Sequence, residues 1–137
     1  MRSVGQETSM SEGDVKRIRN KVLKEFNKMR YVILGEETGI SVTTALDDDD
    51  IEKLVRKALE EARRPLSWRE LKLVFSGIVG EDRLRKIINL LKARDEIAEL
   101  THTRYSLPEY VNISELSKVK NPGIINTILE RHKKRTQ

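Results

Sequence analysis

The sequence contains no cysteine and only two histidines, His102 and His132, among its 137 residues. The absence of cysteine excludes disulfide frameworks, iron–sulfur clusters, thiolate zinc sites and cysteine nucleophiles. The two histidines lie far apart in the sequence, which leaves little from which to build a metal site or a histidine-based catalyst. We therefore expect neither a metal ion nor a cofactor.

Long apolar stretches are also missing. Apolar residues make up 37% of the chain, and no run approaches the roughly 18 uncharged apolar residues that a membrane span requires. The opening residues, MRSVGQETSM, contain no hydrophobic segment of the kind that a secretory signal carries. Both absences predict a soluble cytoplasmic protein with no membrane partner, associated with the nucleoid if it binds DNA.

Motifs of enzyme active sites are absent as well. The glycine-containing stretch over residues 76–80, SGIVG, lacks the Lys-Ser or Lys-Thr pair that makes a phosphate-binding loop specific. Carboxylates are plentiful, but no pair of them lies in an apolar segment that would shift its pKa for acid–base catalysis. We therefore predict that the chain is not an enzyme and has no catalytic residues.

Charged residues, in contrast, are abundant. They make up 36% of the chain, whereas charged residues usually make up about a quarter. There are 27 basic and 22 acidic side chains, which give a net charge of +5. The basic residues are concentrated in residues 11–30 and 111–137. This charge balance permits nucleic-acid binding without requiring it. A dense mixture of both signs is also typical of thermophilic proteins, so that a thermophilic origin is a second interpretation.

The flanking segments are predicted from their composition. Residues 1–10 are small and polar without periodicity, which favours a disordered lead-in. Within residues 11–46, apolar side chains recur every three or four positions and predict a basic amphipathic helix, followed by a linker that looks extended at Ile40–Thr43. Residues 111–137 predict a C-terminal helix that begins at Asn121-Pro122 and ends in a basic tail.

The segment from 47 to 110 predicts a central domain. Asp47–Asp50 supply an N-cap and first-turn carboxylates for a helix, and its apolar stripe runs from Ile51 to Ala62 before Pro65 ends it. A metal site at the four aspartates is disfavoured because adjacent carboxylates on one helical turn point in different directions.

Two further helices and a hairpin follow. Ser67-Trp68-Arg69-Glu70 matches a capping box that opens a short helix, in which Trp68 is expected to pack inward. A third helix is predicted over 82–94, and after Arg94 the apolar spacing changes from 3.6 to 2, which predicts a β-hairpin over 96–107. The third helix has its apolar stripe at Leu84, Ile87, Ile88 and Leu91. The predicted fold is therefore mainly α with a small β-hairpin and with helices on both flanks.

This order of elements resembles the winged helix-turn-helix family over about 60 of the 137 residues. The resemblance is carried by residues 65–71, 83–91, 96–100 and 104–108. It implies a third helix in the major groove of DNA and a wing that touches the backbone or the minor groove. The residues that it would place at DNA are Arg85, Lys86, Asn89 and Lys92 on the third helix, His102, Thr103 and Arg104 on the wing, and Arg69 near the start of the second helix.

Two functions follow as hypotheses. The first is a transcriptional regulator that binds duplex DNA and forms a homodimer through the flanking helices. The second is a protein–protein adaptor in a replication, transcription or chromosome-handling assembly. The adaptor is favoured by Glu81 and Asp82 at the start of the third helix, where a DNA-facing helix usually carries no negative charge, and by a wing whose one formally charged residue is Arg104.

Overall fold

The computed structural model describes residues 2–34 and 46–135. Its regular elements are helices α1 (Arg2–Leu34), α2 (Asp48–Ala62), α3 (Trp68–Phe75), α4 (Glu81–Ala93) and α5 (Ile125–Arg135), strands β1 (Leu66–Ser67), β2 (Ala98–Leu100) and β3 (Arg104–Ser106), and 3-10 turns at Pro108–Tyr110, Ile113–Lys118 and Pro122–Ile124. The prediction of a mainly α fold with a small β-hairpin is confirmed.

Helix α2 forms where the aspartate run and the apolar stripe predict it. The Asp47 side chain accepts a hydrogen bond from the Asp50 backbone N–H at 2.9 Å, and the Asp50 carboxylate accepts one from the Asp47 N–H at 3.3 Å. These bonds satisfy N–H groups that the first helical turn leaves without partners. The helix ends at Arg63, whose φ of 54° is in the left-handed region. The stripe of α2 lies in the core, at Ile51, Leu54, Val55, Ala58, Leu59 and Ala62.

Helices α3 and α4 also form where the sequence predicts them. The Ser67 hydroxyl accepts a hydrogen bond from the Glu70 N–H at 3.1 Å, and the Glu70 carboxylate accepts one from the Ser67 N–H at 2.9 Å. The predicted capping box is therefore present. Helix α4 starts and ends one residue earlier than the predicted 82–94. Its apolar stripe is buried at Leu84, Ile87, Ile88 and Leu91.

The hairpin of β2 and β3 is joined by a third strand, β1, to give an antiparallel sheet in the order β1-β3-β2. The sequence did not predict β1, because a strand of two residues is too short to show alternation. The hairpin turns at His102 and Thr103, whose φ values of 66° and 51° are both positive, as in the tight turns that match strand twist. The backbone N–H of Trp68 donates a hydrogen bond to the Thr103 carbonyl at 2.9 Å, which connects the tip of the hairpin to the start of α3.

Helix α1 packs across α2 and α3 through Val15, Ile18 and Val22. The Arg19 guanidinium donates hydrogen bonds to three carbonyls at the end of α3, the shortest to Ser76 at 2.7 Å. Helix α1 begins at Arg2 rather than at residue 11, so that the predicted disordered lead-in over 1–10 is helical from residue 2. Once packed turns have nucleated a helix, each further residue adds a hydrogen bond at little cost. The predicted extended segment at 40–43 lies outside the described residues.

The C-terminal segment covers the outer edge of β2. Leu100 pairs with Val119 in an isolated bridge, and the Asn121 amide bonds the backbone of Glu99 and Ile97, both at 2.9 Å. A second apolar cluster lies between this segment and the sheet, so that β2 does not present a bare edge. Its members are Ala98, Leu100, Val111, Ile124 and Ile128. None of the described helices has the length and apolarity to cross a membrane.

Candidate nucleic-acid interface

The outward face of α4 carries three of the predicted contact residues. Arg85, Lys86 and Asn89 are all exposed on the side opposite the buried stripe. The Arg85 guanidinium lies over the indole of Trp68, with Cζ 4.5 Å from the ring centroid, an arrangement that combines cation–π attraction with stacking. Trp68 itself is half-buried and packs against the core, as predicted. The ring therefore joins the core to the exposed arginine.

The tip of the hairpin lies beside the same tryptophan. The backbone N–H of Trp68 donates a hydrogen bond to the backbone carbonyl of Thr103. The exposed residues His102 and Thr103 are therefore held next to the start of α3. Arg69 follows Trp68 in the chain and is also exposed. The structure thus brings α3, α4 and the hairpin tip together around Trp68. We call this region, defined by Arg69, Arg85, Asn89, His102 and Thr103, the front surface.

Lys86 lies at the margin of the front surface and is already paired. Its Nζ is 3.3 Å from Asp48 Oδ2, and Arg83 Nη2 is 3.1 Å from Asp48 Oδ1. The hydrogen bonds from Lys86 and Arg83 lower the pKa of the Asp48 carboxyl, which is therefore charged at neutral pH. The pairs are solvent-exposed, with 65% of the Lys86 side chain accessible. Exposed ion pairs are weak and exchange readily with another anion.

Two predicted contact residues have partners inside the hairpin region instead. Lys92 Nζ lies 2.6 Å from Glu99 Oε1, and Arg104 Nε donates to the Thr101 carbonyl at 2.9 Å. Only 24% of the Lys92 side chain and 25% of the Arg104 side chain are exposed. Both side chains are mostly covered and already hold these partners, so that we leave them out of the front surface.

The acidic start of α4 has a local explanation. Gly80, the N-cap, provides no side-chain cap, and carboxylates in the first turn are stabilised by the helix dipole. Glu81 Oε2 also pairs with Lys72 Nζ at 3.1 Å. Asp82 is exposed and has no ion-pair partner in the described part of the chain.

Sequence reasoning missed Arg83 and the stacked geometry of Trp68. Arg83 shares the Asp48 carboxylate with Lys86, but Arg83 and Asp48 are 35 positions apart and no local pattern signals their contact. Within residues 2–34 and 46–135, no three side chains of the metal-ligating types come together. The chemistry of the front surface is therefore that of hydrogen-bond donors and positive charge.

No known family model, curated protein sequence or solved structure matches this chain with significance.

Proposed function

We propose that the chain is a winged helix-turn-helix protein that binds duplex DNA through the front surface and acts as a transcriptional regulator. The order α2, α3, α4 and hairpin supports the resemblance on which this proposal rests. The hydrogen bond between Trp68 and Thr103 adds to it, because it fixes the hairpin tip beside the helices, where a wing would work.

The observation that carries the proposal is the pair of exposed side chains, Arg85 and Asn89, on successive turns of α4. Arginine offers a planar fork of donors to guanine, and asparagine can bond an adenine edge in two places. The contact with the Trp68 ring restricts the Arg85 guanidinium before binding, and the residue remains exposed to solvent. A side chain ordered in advance loses less entropy when it binds.

The surrounding residues fit contacts to the DNA backbone. An α-helix such as α4 fits a major groove about 12 Å wide. With α4 in the groove, Arg69 and the hairpin tip, both beside the start of α3, would lie near backbone phosphates. Lys86 would exchange Asp48 for a phosphate, which adds one charge contact to the complex.

The test is a titration of a labelled duplex at two salt concentrations, with the solution mass measured on the same sample. We expect the affinity to fall steeply with salt, and the mass to show whether one or two copies bind. Arg85→Ala should weaken binding to the preferred site by about 1–3 kcal/mol. The matched control is Lys53→Ala, which removes an exposed charge from α2. An affinity that does not change with salt would exclude the proposal.

The second candidate function is the adaptor, and one specific observation favours it. Leu73 on α3 is 53% exposed, and it neighbours Lys72, which pairs with Glu81. Leu73 has the largest exposed fraction among the large apolar side chains of the described residues, and burial of apolar surface favours protein–protein association. For an adaptor, duplex DNA should bind weakly and a pull-down from native lysate should recover a stoichiometric partner. Recovery of the protein alone would count against this function.

A further inference from the structure

A second basic site lies at the end of the sheet remote from the hairpin tip. There the C-terminus of α2, the turn after β3 and the last turns of α5 form a solvent-open depression of about 480 Å³. We call it the rear pocket. It is lined by Arg63, Glu109, Tyr110, Arg131 and Lys134.

Positive charge dominates the rear pocket. Three of its five lining side chains are cations and one is a carboxylate, which Arg131 already engages with Nη1 2.8 Å from Glu109 Oε1. Arg63 and Lys134 are exposed and have no ion-pair partner in the part of the chain that the structure describes. Clefts lined by an excess of one charge concentrate ions of the opposite sign. The ligand chemistry that fits is an anion with several acceptor oxygens, such as a phosphate.

The backbone at Arg63 strengthens this assignment. Its φ of 54° lies in the left-handed region, where a helix end usually carries glycine and where any other residue is strained. Residues kept in strained conformations often serve a function. At Arg63 the retained side chain is the one that lines the rear pocket.

The rear pocket and the front surface lie at different ends of the molecule. In the antiparallel sheet, Ser67 pairs with Arg104 near the tip and Leu66 with Tyr105 further away, so that Arg63 and Tyr110 lie beyond the strand ends opposite the tip. The 15 residues of α2, Asp48–Ala62, span about 22 Å at the helical rise, and Arg63 follows the last of them. Asp48 contacts Lys86 at the margin of the front surface.

We propose that the rear pocket binds backbone phosphates of a second nucleic-acid segment, so that the chain holds two duplexes at once. This inference rests on the proposed function of the front surface. A phosphate could also come from a free nucleotide, whose chemistry in the pocket would be the same. The backbone is the better source because the rear pocket is open to solvent, whereas sites for free small ligands usually bury most of the ligand surface.

The experiment is a bridging assay with the full chain. One duplex is fixed to beads, the protein is added, and the retention of a second, labelled duplex is measured. The variant is Arg63→Glu with Lys134→Glu, and the control is Lys24→Glu with Lys53→Glu, which changes the net charge equally at exposed positions on α1 and α2. We expect the rear-pocket variant to retain at least tenfold less labelled duplex than the control, while both bind a single duplex in solution with equal affinity.

A second variant guards against misfolding. Arg63→Gly with Lys134→Ala keeps the left-handed helix end and should show the same loss of bridging with a thermal midpoint no lower than that of the unaltered chain. Equal retention by the rear-pocket variants and the control, as a homodimer with two front surfaces would give, overturns the inference. A loss of single-duplex affinity in the rear-pocket variants alone also overturns it, because one duplex would then contact both sites.

Two further outcomes are separable. In the first, the unaltered chain binds ATP saturably, and the Arg63→Glu, Lys134→Glu variant loses ATP binding but still bridges two duplexes. This result would assign the pocket to a free nucleotide and overturn the inference. In the second, Arg85→Ala loses both single-duplex binding and bridging. We expect this result, because the front surface must hold the first duplex. If the unaltered chain captures no duplex at all, the proposed function fails and the inference fails with it. If it captures one duplex but never two, the inference fails alone.

Discussion

Two groups of ion pairs connect α2 to the elements beside it, and they differ in burial. The outer group, at the start of α2, consists of Asp48 with Arg83 and Lys86, and between 40% and 65% of each side chain is exposed. The inner group, one turn further along, has Glu52 at its centre, with 7% of its side chain exposed.

The inner group is more highly connected. Arg94 donates to both Glu52 carboxylate oxygens, at 3.2 and 3.1 Å, and Arg56 bridges Glu52 and Glu96. The group therefore joins α2, the end of α4 and the residues before β2. The ion pairs of the two groups therefore differ in their effect on stability. Solvent screens the outer pairs and leaves their cations free to exchange partners, whereas loss of the buried Glu52 carboxylate would remove the acceptor of both Arg94 hydrogen bonds.

The largest effect is expected from Glu52→Ala, which removes the buried centre of the inner group. We predict a loss of about 2 kcal/mol in the free energy of unfolding, because two charged hydrogen bonds disappear. Urea denaturation measures it. The control is Glu60→Ala, at an exposed position of the same helix. A loss no greater than that of the control would contradict the structural role of the inner group.

Periodicity in the sequence was enough to predict α2, α3, α4 and the hairpin. Their apolar stripes and caps are local patterns, which neighbouring residues determine. The ion pairs could not be predicted in this way: Asp48 and Lys86 are 38 positions apart, and only the packing of α2 beside α4 brings them together.

The front surface was predicted in part for the same reason. The helical period placed Arg85 and Asn89 outward, and both are exposed. Lys92 and Arg104 were expected on the same surface, but their orientation depends on how the hairpin folds against α4 and its own turn. No spacing rule contains that information.

The second effect in size concerns acid stability. Burial raises the pKa of Glu96, but the hydrogen bond and charge of Arg56, with Arg94, hold it below its ordinary value. A folded pKa below the unfolded one, about 4.3 for glutamate, gives stability that is complete above that pH and is lost as the pH falls through the folded value. We expect the free energy of unfolding to be flat from pH 7 to about 5 and to decline below about 4.

Glu96→Gln checks this assignment. Since the variant has no carboxyl group at this position to protonate, its stability should decline less steeply below about pH 4 than that of the unaltered chain. Parallel declines in the two proteins, measured by denaturant titration at each pH, would show that the inner group does not determine the acid response.

The third prediction concerns the outer group and Asp48→Asn. The variant removes a negative charge beside the front surface and releases Arg83 and Lys86. We expect duplex affinity to rise several-fold at low salt, with little change in stability. The control is Asp49→Asn, which removes an equal charge from the exposed neighbouring position. An equal rise in duplex affinity in both variants would show that the change in net charge alone causes the effect.

The smallest effect is expected from Lys86→Ala. If Lys86 exchanges Asp48 for a phosphate, the slope of the logarithm of the binding constant against the logarithm of salt concentration should decrease in magnitude by about one. Lys53→Ala should leave the slope as it is. Binding isotherms at four salt concentrations measure the slope, and an unchanged slope in Lys86→Ala would remove this lysine from the DNA contacts.

The stacked pair of Trp68 and Arg85 has a practical consequence. Trp68 is the single tryptophan of the chain, and its indole lies directly beneath the arginine that the proposed complex would engage. Any ligand that draws the guanidinium away changes the polarity around the ring. The intrinsic emission of the unlabelled protein therefore provides an optical reporter of occupancy, built into the fold at the position where it is needed.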